Sequence, residues 1–267
     1  MEKLGIIAGA GELPVLLAKA AQAQGRLPVI IQITQTPAEG LASVASEIYP
    51  IGVGQMRKIT RTLLESDVRE IVLIGKIHKS ILLHPFLLDT TALKILATTR
   101  NKGDRAILAA IIAYFESSGL SVIEQHRFLG DLMPPPGMLT KKQPTQSQWA
   151  DVRYGMQLAH QVANLDIGQA VIVKDLMPLA VEAIEGTDEA IRRGGALGGK
   201  GVVVAKAASS HHDFRIDVPT VGHQTLEVLH EVKGSVLAVE SGRTFIINQE
   251  ALCEQADRWK IAIVAVA

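Results

Sequence analysis

A single cysteine, Cys253, in 267 residues leaves no partner for an intramolecular disulfide and too few thiolates for a cysteine-built zinc cage. A reducing compartment suits such a chain, and buried filler is the ordinary role of a lone thiol. Charge of one sign is lacking too. Lysine plus arginine total 27 and aspartate plus glutamate total 27, so no global field draws the chain to nucleic acid or an anionic membrane, and any phosphate site is local. No apolar run is long enough to span a bilayer. Met1-Glu2-Lys3 leads straight into a short apolar stretch, without the cationic start, long apolar core and small-residue cleavage site of a secretory signal. The expectation is a cytoplasmic protein without a nucleic-acid partner.

What is present is apolar sequence, 48% of the chain, cut into short alternating segments. Leu4 to Ala8, Val29 to Ile33, Ile71 to Ile74 and Leu120 to Ile123 read as buried strands, and the stretches from Val15 to Gly25, Met56 to Leu64, Asp89 to Thr99 and Asp104 to Phe115 carry helical spacing. Alternation of this kind predicts a parallel sheet covered by helices. Around Met133-Pro-Pro-Pro136-Gly137 and Lys141-Lys-Gln-Pro144 the prolines lack amide donors and disfavour regular structure. The expected organisation is therefore α/β in two domains: a Rossmann-like parallel sheet with helices over residues 1–130, a proline-rich linker over 131–148, and a mixed α/β domain over 149–267. In the second half a helix is expected from about Ala150 to Asn164, then a hairpin of Ala170 to Val173 with Leu179 to Ala183. Strands follow near Val202, Val236, Phe245 and Ile261, with helices near Gln224 to Glu231 and Gln249 to Trp259.

Gly9 and Gly11 sit where the first strand hands over to a helix, a turn that brings backbone amides to a phosphate at the positive helix end. The dinucleotide fingerprint wants a third glycine, but Pro14 occupies that position and suits the first turn of a helix instead. A conventional NAD site is disfavoured; a nucleotide contact or a ligand-free tight turn remains.

The densest polar stretch runs from Glu182 to Gly201. Thr187 or Asp188 is placed to cap a helix, and Arg192 and Arg193 follow about one turn later, near a flexible loop-like stretch of glycines at 194, 195, 198, 199 and 201 whose backbone suits wrapping around a ligand. Planar guanidinium groups match phosphate oxygens, while the plainer alternative is a solvated helix laced with salt bridges. Lys206 follows, then Asp213-Phe-Arg215-Ile-Asp217-Val-Pro219-Thr220. If residues 214–218 are extended, Asp213, Arg215 and Asp217 share one face. Carboxylates there suit magnesium or manganese, which neutralises a pyrophosphate and activates water. His211-His212 point to opposite faces of a strand, and no third nitrogen ligand is spaced to complete a zinc site.

Leu165-Asp-Ile-Gly-Gln169, Ala180-Val-Glu182-Ala-Ile-Glu-Gly-Thr-Asp188, Ile191-Arg-Arg-Gly194 and Arg215-Ile-Asp-Val-Pro219-Thr-Val-Gly222 resemble the LpxI-type UDP-2,3-diacylglucosamine diphosphatases of lipid A biosynthesis. Leu4-Gly-Ile-Ile-Ala-Gly-Ala-Gly-Glu-Leu-Pro14 matches the same family, so the likeness runs the length of the chain. The resemblance implies two α/β domains with a cleft between them, dependence on magnesium or a similar ion, and hydrolysis of UDP-2,3-diacylglucosamine to UMP and 2,3-diacylglucosamine 1-phosphate. It makes Asp217 the essential aspartate of an Arg-x-Asp-x-Pro motif, with Asp213 at a position where the family carries an acid.

On that basis the expected catalytic groups are Asp217, Asp213 and Arg215. The expected metal ligands are Asp217 and Asp213 with Glu182 and Asp188, and the expected substrate contacts are Gly9, Gly11, Thr187, Arg192, Arg193, Lys206 and Thr220. Ile77 to Leu88 is the candidate apolar surface for the acyl chains, with core or dimer packing as its alternative. Peripheral contact with the inner membrane and a homodimer complete the expected partners. One departure stands out: Ser209-Ser-His-His212 replaces the family's frequent Lys-Pro-x-Gln. A sugar-nucleotide-binding protein that does not cleave its ligand, or a pyrophosphatase for another UDP-sugar, is the competing reading.

Overall fold

The computed structural model describes residues 1–35, 38–76, 88–99, 104–216 and 218–267, without the side chains of residues 98, 104 and 105. The chain forms two compact units, and each has its own core.

The first unit comprises Met1–Leu129 and the described part of 213–217. Its elements are β1 (Lys3–Ala8), α1 (Leu13–Ala23), β2 (Leu27–Gln32), β3 (Glu47–Pro50), α2 (Met56–Glu65), β4 (Glu70–Ile74), α3 (Thr90–Thr98), α4 (Asp104–Ser117), β5 (Ser121–Val122) and α5 (His126–Leu129). The strands are all parallel in the order β3-β2-β1-β4-β5, as expected for a Rossmann-like sheet. Ile6 pairs with Ile30 on one side and Val72 on the other, and all three are fully buried. A sheet covered on both faces needs such unbroken apolar runs. On one face Met56, Ile59 and Leu63 of α2 enter a core with Ile7, Ile31, Leu73 and Phe115, the i, i+3, i+7 stripe of an amphipathic helix. Strand β3 escapes a reading by pattern because it is a half-buried edge with a single isoleucine, closed by Pro50.

The second unit comprises Gly130–His212 and Val218–Ala267. It contains β6 (Gly137–Met138), α6 (Gln146–Asn164), β7 (Ala170–Lys174), β8 (Met177–Val181), α7 (Thr187–Gly198), β9 (Val203–Lys206), β10 (Thr220–Val221), α8 (His223–Glu231), β11 (Val236–Glu240), β12 (Phe245–Ile246), α9 (Gln249–Trp259) and β13 (Ala262–Val266). Six strands form a mixed sheet in the order β6-β13-β11-β9-β7-β8, and β10 and β12 form a separate parallel pair. Helices α7, α8 and α9 bury Ile191, Leu226 and Leu252 against one face, and α6 buries Val152, Met156 and Ala159 against the other.

The expected hairpin is present as β7 and β8. Its two turn residues, Asp175 and Leu176, both have positive φ, an arrangement that matches the right-handed strand twist but strains a leucine. Buried Asp151 compensates: its carboxylate accepts from the amides of Asp175 at 3.1 Å and Leu176 at 2.7 Å.

The stretch 131–148, expected as a linker, is carried by the second unit. Gly137–Met138 pair with β13, the Leu139 amide donates to Ile263 O, and Asp257 accepts from the amides of Lys141 and Lys142. Helix α6 begins at Gln146 because Thr145 and Gln148 close a reciprocal capping box. The second unit is also not continuous in sequence, since the segment after His212 joins the first.

Candidate functional site

Gly9 owes its identity to packing. The end of β1 crosses the chain leaving β4, with the Gly9 amide donating to Ile74 O and Ala10 exchanging two bonds with Lys76, each at 2.8 Å. A Cβ on Gly9 would lie 2.5 Å from the Lys76 carbonyl oxygen, so only glycine fits the crossing. These amides are therefore engaged by carbonyls. Gly11 differs: φ is +97° and nothing lies within 4 Å of where its Cβ would be, which makes it the open part of the turn into α1.

In the second unit three expected residues come together at the carboxyl end of β9, the end of a parallel strand where ligands ordinarily bind. Lys206, the last residue of β9, is 5% exposed. Its Nζ donates to Thr187 Oγ1 at 2.8 Å, and that hydroxyl donates to Glu182 Oε1 at 2.8 Å. Glu182 also accepts from the Gln169 amide at 3.2 Å. Thr187 is the first residue of α7, after Gly186 with φ +84°, so the positive end of that helix faces the same group of side chains.

The rest of the polar stretch departs from expectation. Neither Thr187 nor Asp188 caps α7, because Gly186 occupies the cap and offers no side chain; Asp188 instead accepts from Thr225 Oγ1 on α8 at 3.4 Å. Arg192 pairs with Glu189 at 2.6 Å and lies 3.5 Å from Glu231. Arg193 donates to Val181 O and pairs with Glu185, whose own amide and the Arg193 guanidinium hold its carboxyl below the usual carboxylate range. Helical spacing sets Arg192 beside Glu189, while Arg193 reaches back to the turn before α7, where Glu185 stands; acids, not a glycine loop, take both guanidinium groups.

Nor are the glycines a flexible stretch. Gly194, Gly195 and Gly198 lie inside α7, and an added Cβ would meet Ile172 at 2.6 Å, Val232 at 2.3 Å and Leu179 at 2.2 Å respectively. They are small because β7, β8 and the end of α8 press against that helix.

Residues 213–216 form a turn and not the extended strand considered from sequence. The Ile216 amide donates to Asp213 O at 3.0 Å, and Asp213 Oδ1 accepts from the Arg215 amide at 3.0 Å and from its Nε at 2.9 Å. Arg215 Nη2 reaches Asp213 Oδ2 at 2.8 Å, and Nη1 reaches Glu116 at 2.9 Å. An aspartate bonded to the backbone two residues on is the ordinary side-chain-closed turn, and it overrides alternation. The Asp213 carboxylate raises the Arg215 guanidinium above its ordinary pKa, with Glu116 adding to the effect. Asp217 lies outside the described residues, as do 77–87 of the stretch proposed to receive acyl chains.

Thr220 starts β10 and donates to Val218 O at 2.9 Å. Half-buried Cys253 has its thiol pKa pushed up by burial and by Asp257, in keeping with filler. Among the described residues no three histidine, cysteine or acidic side chains gather as a metal site. Asp213 is engaged by Arg215, and Glu182 and Asp188 accept from threonine hydroxyls, so the described acids do not by themselves fit a divalent cation.

Reasoning from sequence missed several polar residues around these segments. Gln125, 3% exposed, donates to Leu73 O and Ile216 O. Glu240 accepts from the Ala208 amide at 2.8 Å, Arg243 donates to Ser209 O, and Asn164 exchanges bonds with Ser210. Glu240 alone had a signal: an acid ending the apolar run Val236 to Val239 stands at the carboxyl end of a strand.

Residues 3–132 match the family model of the LpxI N-terminal domain, and residues 135–264 match that of the LpxI C-terminal domain. The UDP-2,3-diacylglucosamine pyrophosphatase LpxI of Caulobacter vibrioides is 30% identical over 280 aligned positions, covering 100% of this chain and 98% of its own. Among solved structures, N5-carboxyaminoimidazole ribonucleotide synthetase from Thermotoga maritima aligns at 18% identity over 69% of this chain and 42% of its own, with a TM-score of 0.26. The biotin carboxylase subunit of pyruvate carboxylase aligns at 15% identity over 77% of this chain and 38% of its own, with a TM-score of 0.29. The chain spans less than half the length of either structure, and likeness at that level carries no argument about this one.

Proposed function

The chain belongs to the LpxI family, and from that membership we propose that it hydrolyses the pyrophosphate of UDP-2,3-diacylglucosamine. The observation that carries the reading is alignment with the Caulobacter vibrioides pyrophosphatase over essentially both whole chains, with the two domain models in order. In the proposed reaction water attacks the sugar-side phosphorus, the bridging P–O bond breaks, and UMP leaves with the bridging oxygen. The new oxygen stays on 2,3-diacylglucosamine 1-phosphate.

Phosphoryl transfer asks mainly for alignment and charge neutralisation. Lys206 with Thr187, at the positive end of α7, supplies a cation and donors for phosphate oxygens. Arg192 and Arg193 serve the same end by exchanging their glutamate partners for phosphate, an exchange that half-exposed ion pairs permit at little cost. Asp217 orients the attacking water, and Arg215 holds Asp213 beside it in sequence. Gly11 and Thr220 complete the substrate contacts.

Magnesium or manganese remains part of the proposal on the strength of the Arg-x-Asp-x-Pro motif; no step is drawn through the ion. No helix among the described residues is long and apolar enough to cross a membrane; cytoplasmic location, peripheral membrane contact and a homodimer stand as further parts of the reading. The ion pair that occupies Asp213 favours one competing view, a protein that holds the sugar nucleotide without cleaving it.

The deciding experiment is UMP release from UDP-2,3-diacylglucosamine by the intact chain and by Asp217→Ala. The expected result is turnover by the intact chain and a loss of at least roughly a hundredfold in the variant. Binding without UMP release by the intact chain would establish the passive alternative, and a near-normal rate in the variant would remove Asp217 from the chemistry.

A further inference from the structure

The chain leaves the second unit after His212 and returns to it at Val218. The segment carrying Asp213, Arg215 and Asp217 is therefore an excursion with two limbs rooted in that unit. Each root is held by side chains or strand pairing that the sheet does not require. On the outgoing limb, the Ala208 amide donates to Glu240 Oε2 at 2.8 Å and Ala208 O lies 3.2 Å from His160 Nδ1. Ser209 O accepts from Arg243 Nη2. The Ser210 amide donates to Asn164 Oδ1 at 2.7 Å, and Asn164 Nδ2 donates to Ser210 Oγ at 3.2 Å. Three consecutive residues beyond the end of β9 are thus each gripped by side chains from α6, from the last residue of β11 or from the stretch that follows it.

The returning limb is held by the continuation of that same stretch. The Phe245 amide donates to Pro219 O at 2.8 Å and the Ile247 amide to Val221 O at 3.0 Å, which pairs β12 with β10. Residues 240–247 therefore anchor both roots. The charged centre of the anchor is Glu240, 9% exposed. Arg243 Nε lies 3.2 Å and His160 Nε2 3.9 Å from its Oε1. A carboxylate so buried needs a countercharge, and the arginine that grips Ser209 supplies it beside the Glu240 oxygens that hold Ala208.

We propose that Arg243, backed by Glu240, is a positioning residue for the hydrolysis: it touches no substrate and fixes the root from which the segment bearing Asp213 departs. This rests on the proposed hydrolysis. Misplacement of reacting groups by an ångström lowers turnover without weakening substrate binding, and that split separates positioning from contact.

The test compares Arg243→Met, Arg243→Lys and Asn164→Ala with the intact chain and with Arg258→Ala, an exposed residue of α9 that bonds Gln255 and no residue of the anchor. Steady-state UMP release, melting temperature and amide hydrogen exchange over residues 208–213 are measured. Arg243→Met is expected to lower kcat roughly ten- to a hundredfold with KM within about twofold, to stay folded, and to exchange faster over that segment. Arg243→Lys recovers little, because one ammonium does not serve both Glu240 and Ser209 O. Asn164→Ala moves the same way by a smaller factor, and Arg258→Ala is unchanged.

A normal kcat in folded Arg243→Met overturns the proposal, as does a raised KM at normal kcat, which makes Arg243 a substrate contact. If Arg243→Met does not fold, full kcat in both Arg243→Lys and Asn164→Ala overturns it instead. No UMP from the intact chain sinks the reaction and not the anchor; unchanged exchange over 208–213 in the variants then sinks the anchor as well.

Discussion

At the scale of single residues, Thr187 joins an ammonium to a carboxylate that do not meet directly. Its one hydroxyl accepts from Lys206 and donates to Glu182, and Lys206 is almost fully buried. Thr187→Val keeps the shape and removes both bonds, leaving a buried cation and a carboxylate each short of a partner. Loss of about 1–3 kcal/mol of stability is expected, together with a fall in kcat/KM for UMP release. Thr187→Ser, which keeps the hydroxyl, should stay near the parent in both. Urea unfolding and the release assay measure the two effects; an unaffected Thr187→Val would reduce Thr187 to a surface residue. Asp213 illustrates the opposite lesson. Its type and spacing marked it as a metal ligand, yet the nearest cation in sequence, Arg215, takes both its oxygens.

Among elements, the first unit is tied at one end of its sheet by Glu70 at the start of β4. It pairs with Arg26, between α1 and β2, at 2.6 Å and with Arg127 of α5 at 3.2 Å. The Arg26 hydrogen bond, ahead of Arg127, holds the Glu70 carboxyl below its ordinary pKa. A folded value lower than the unfolded one means that the stabilisation is complete above the ordinary glutamate value of about 4.3 and is lost as pH falls through the folded value. Glu70→Gln is therefore expected to lower stability by about 1 kcal/mol at neutral pH, with the gap to the parent closing as the solution is acidified below that value. Denaturant midpoints taken across the acid range check this; a gap that widens in acid contradicts the pairing. Helix α7 shows why composition misleads at this scale. Its glycines read as a loop, but an element pressed between β7, β8 and α8 has no room for β-carbons.

For the molecule as a whole, the metal is the part of the reading that a simple manipulation decides. Chelation is expected to abolish UMP release, and magnesium or manganese to restore it. Full activity after exhaustive chelation would leave Lys206, Thr187 and the arginines to neutralise the pyrophosphate alone. Binding of the sugar nucleotide is expected to raise the melting temperature, by mass action on the folded form.

Much of the architecture follows from local pattern. The buried runs at Leu4, Val29 and Ile71 announce a parallel sheet because covered strands must be apolar throughout, and the break in composition near Gly130 coincides with the passage between units. The hairpin of β7 and β8 and the family motifs are equally plain in the chain. Tertiary structure alone decided the rest. It put the segment after His212 with the first unit, closed Asp213 onto Arg215, and gathered Glu182 just past β8, Thr187 of α7 and Lys206 of β9 into one relay. It also gripped Ala208 to Ser210 with side chains 32 to 48 residues distant. Pattern reports whether a side chain faces a core; which polar groups meet depends on how elements far apart in sequence pack, and a buried polar group takes whatever partner that packing brings within reach.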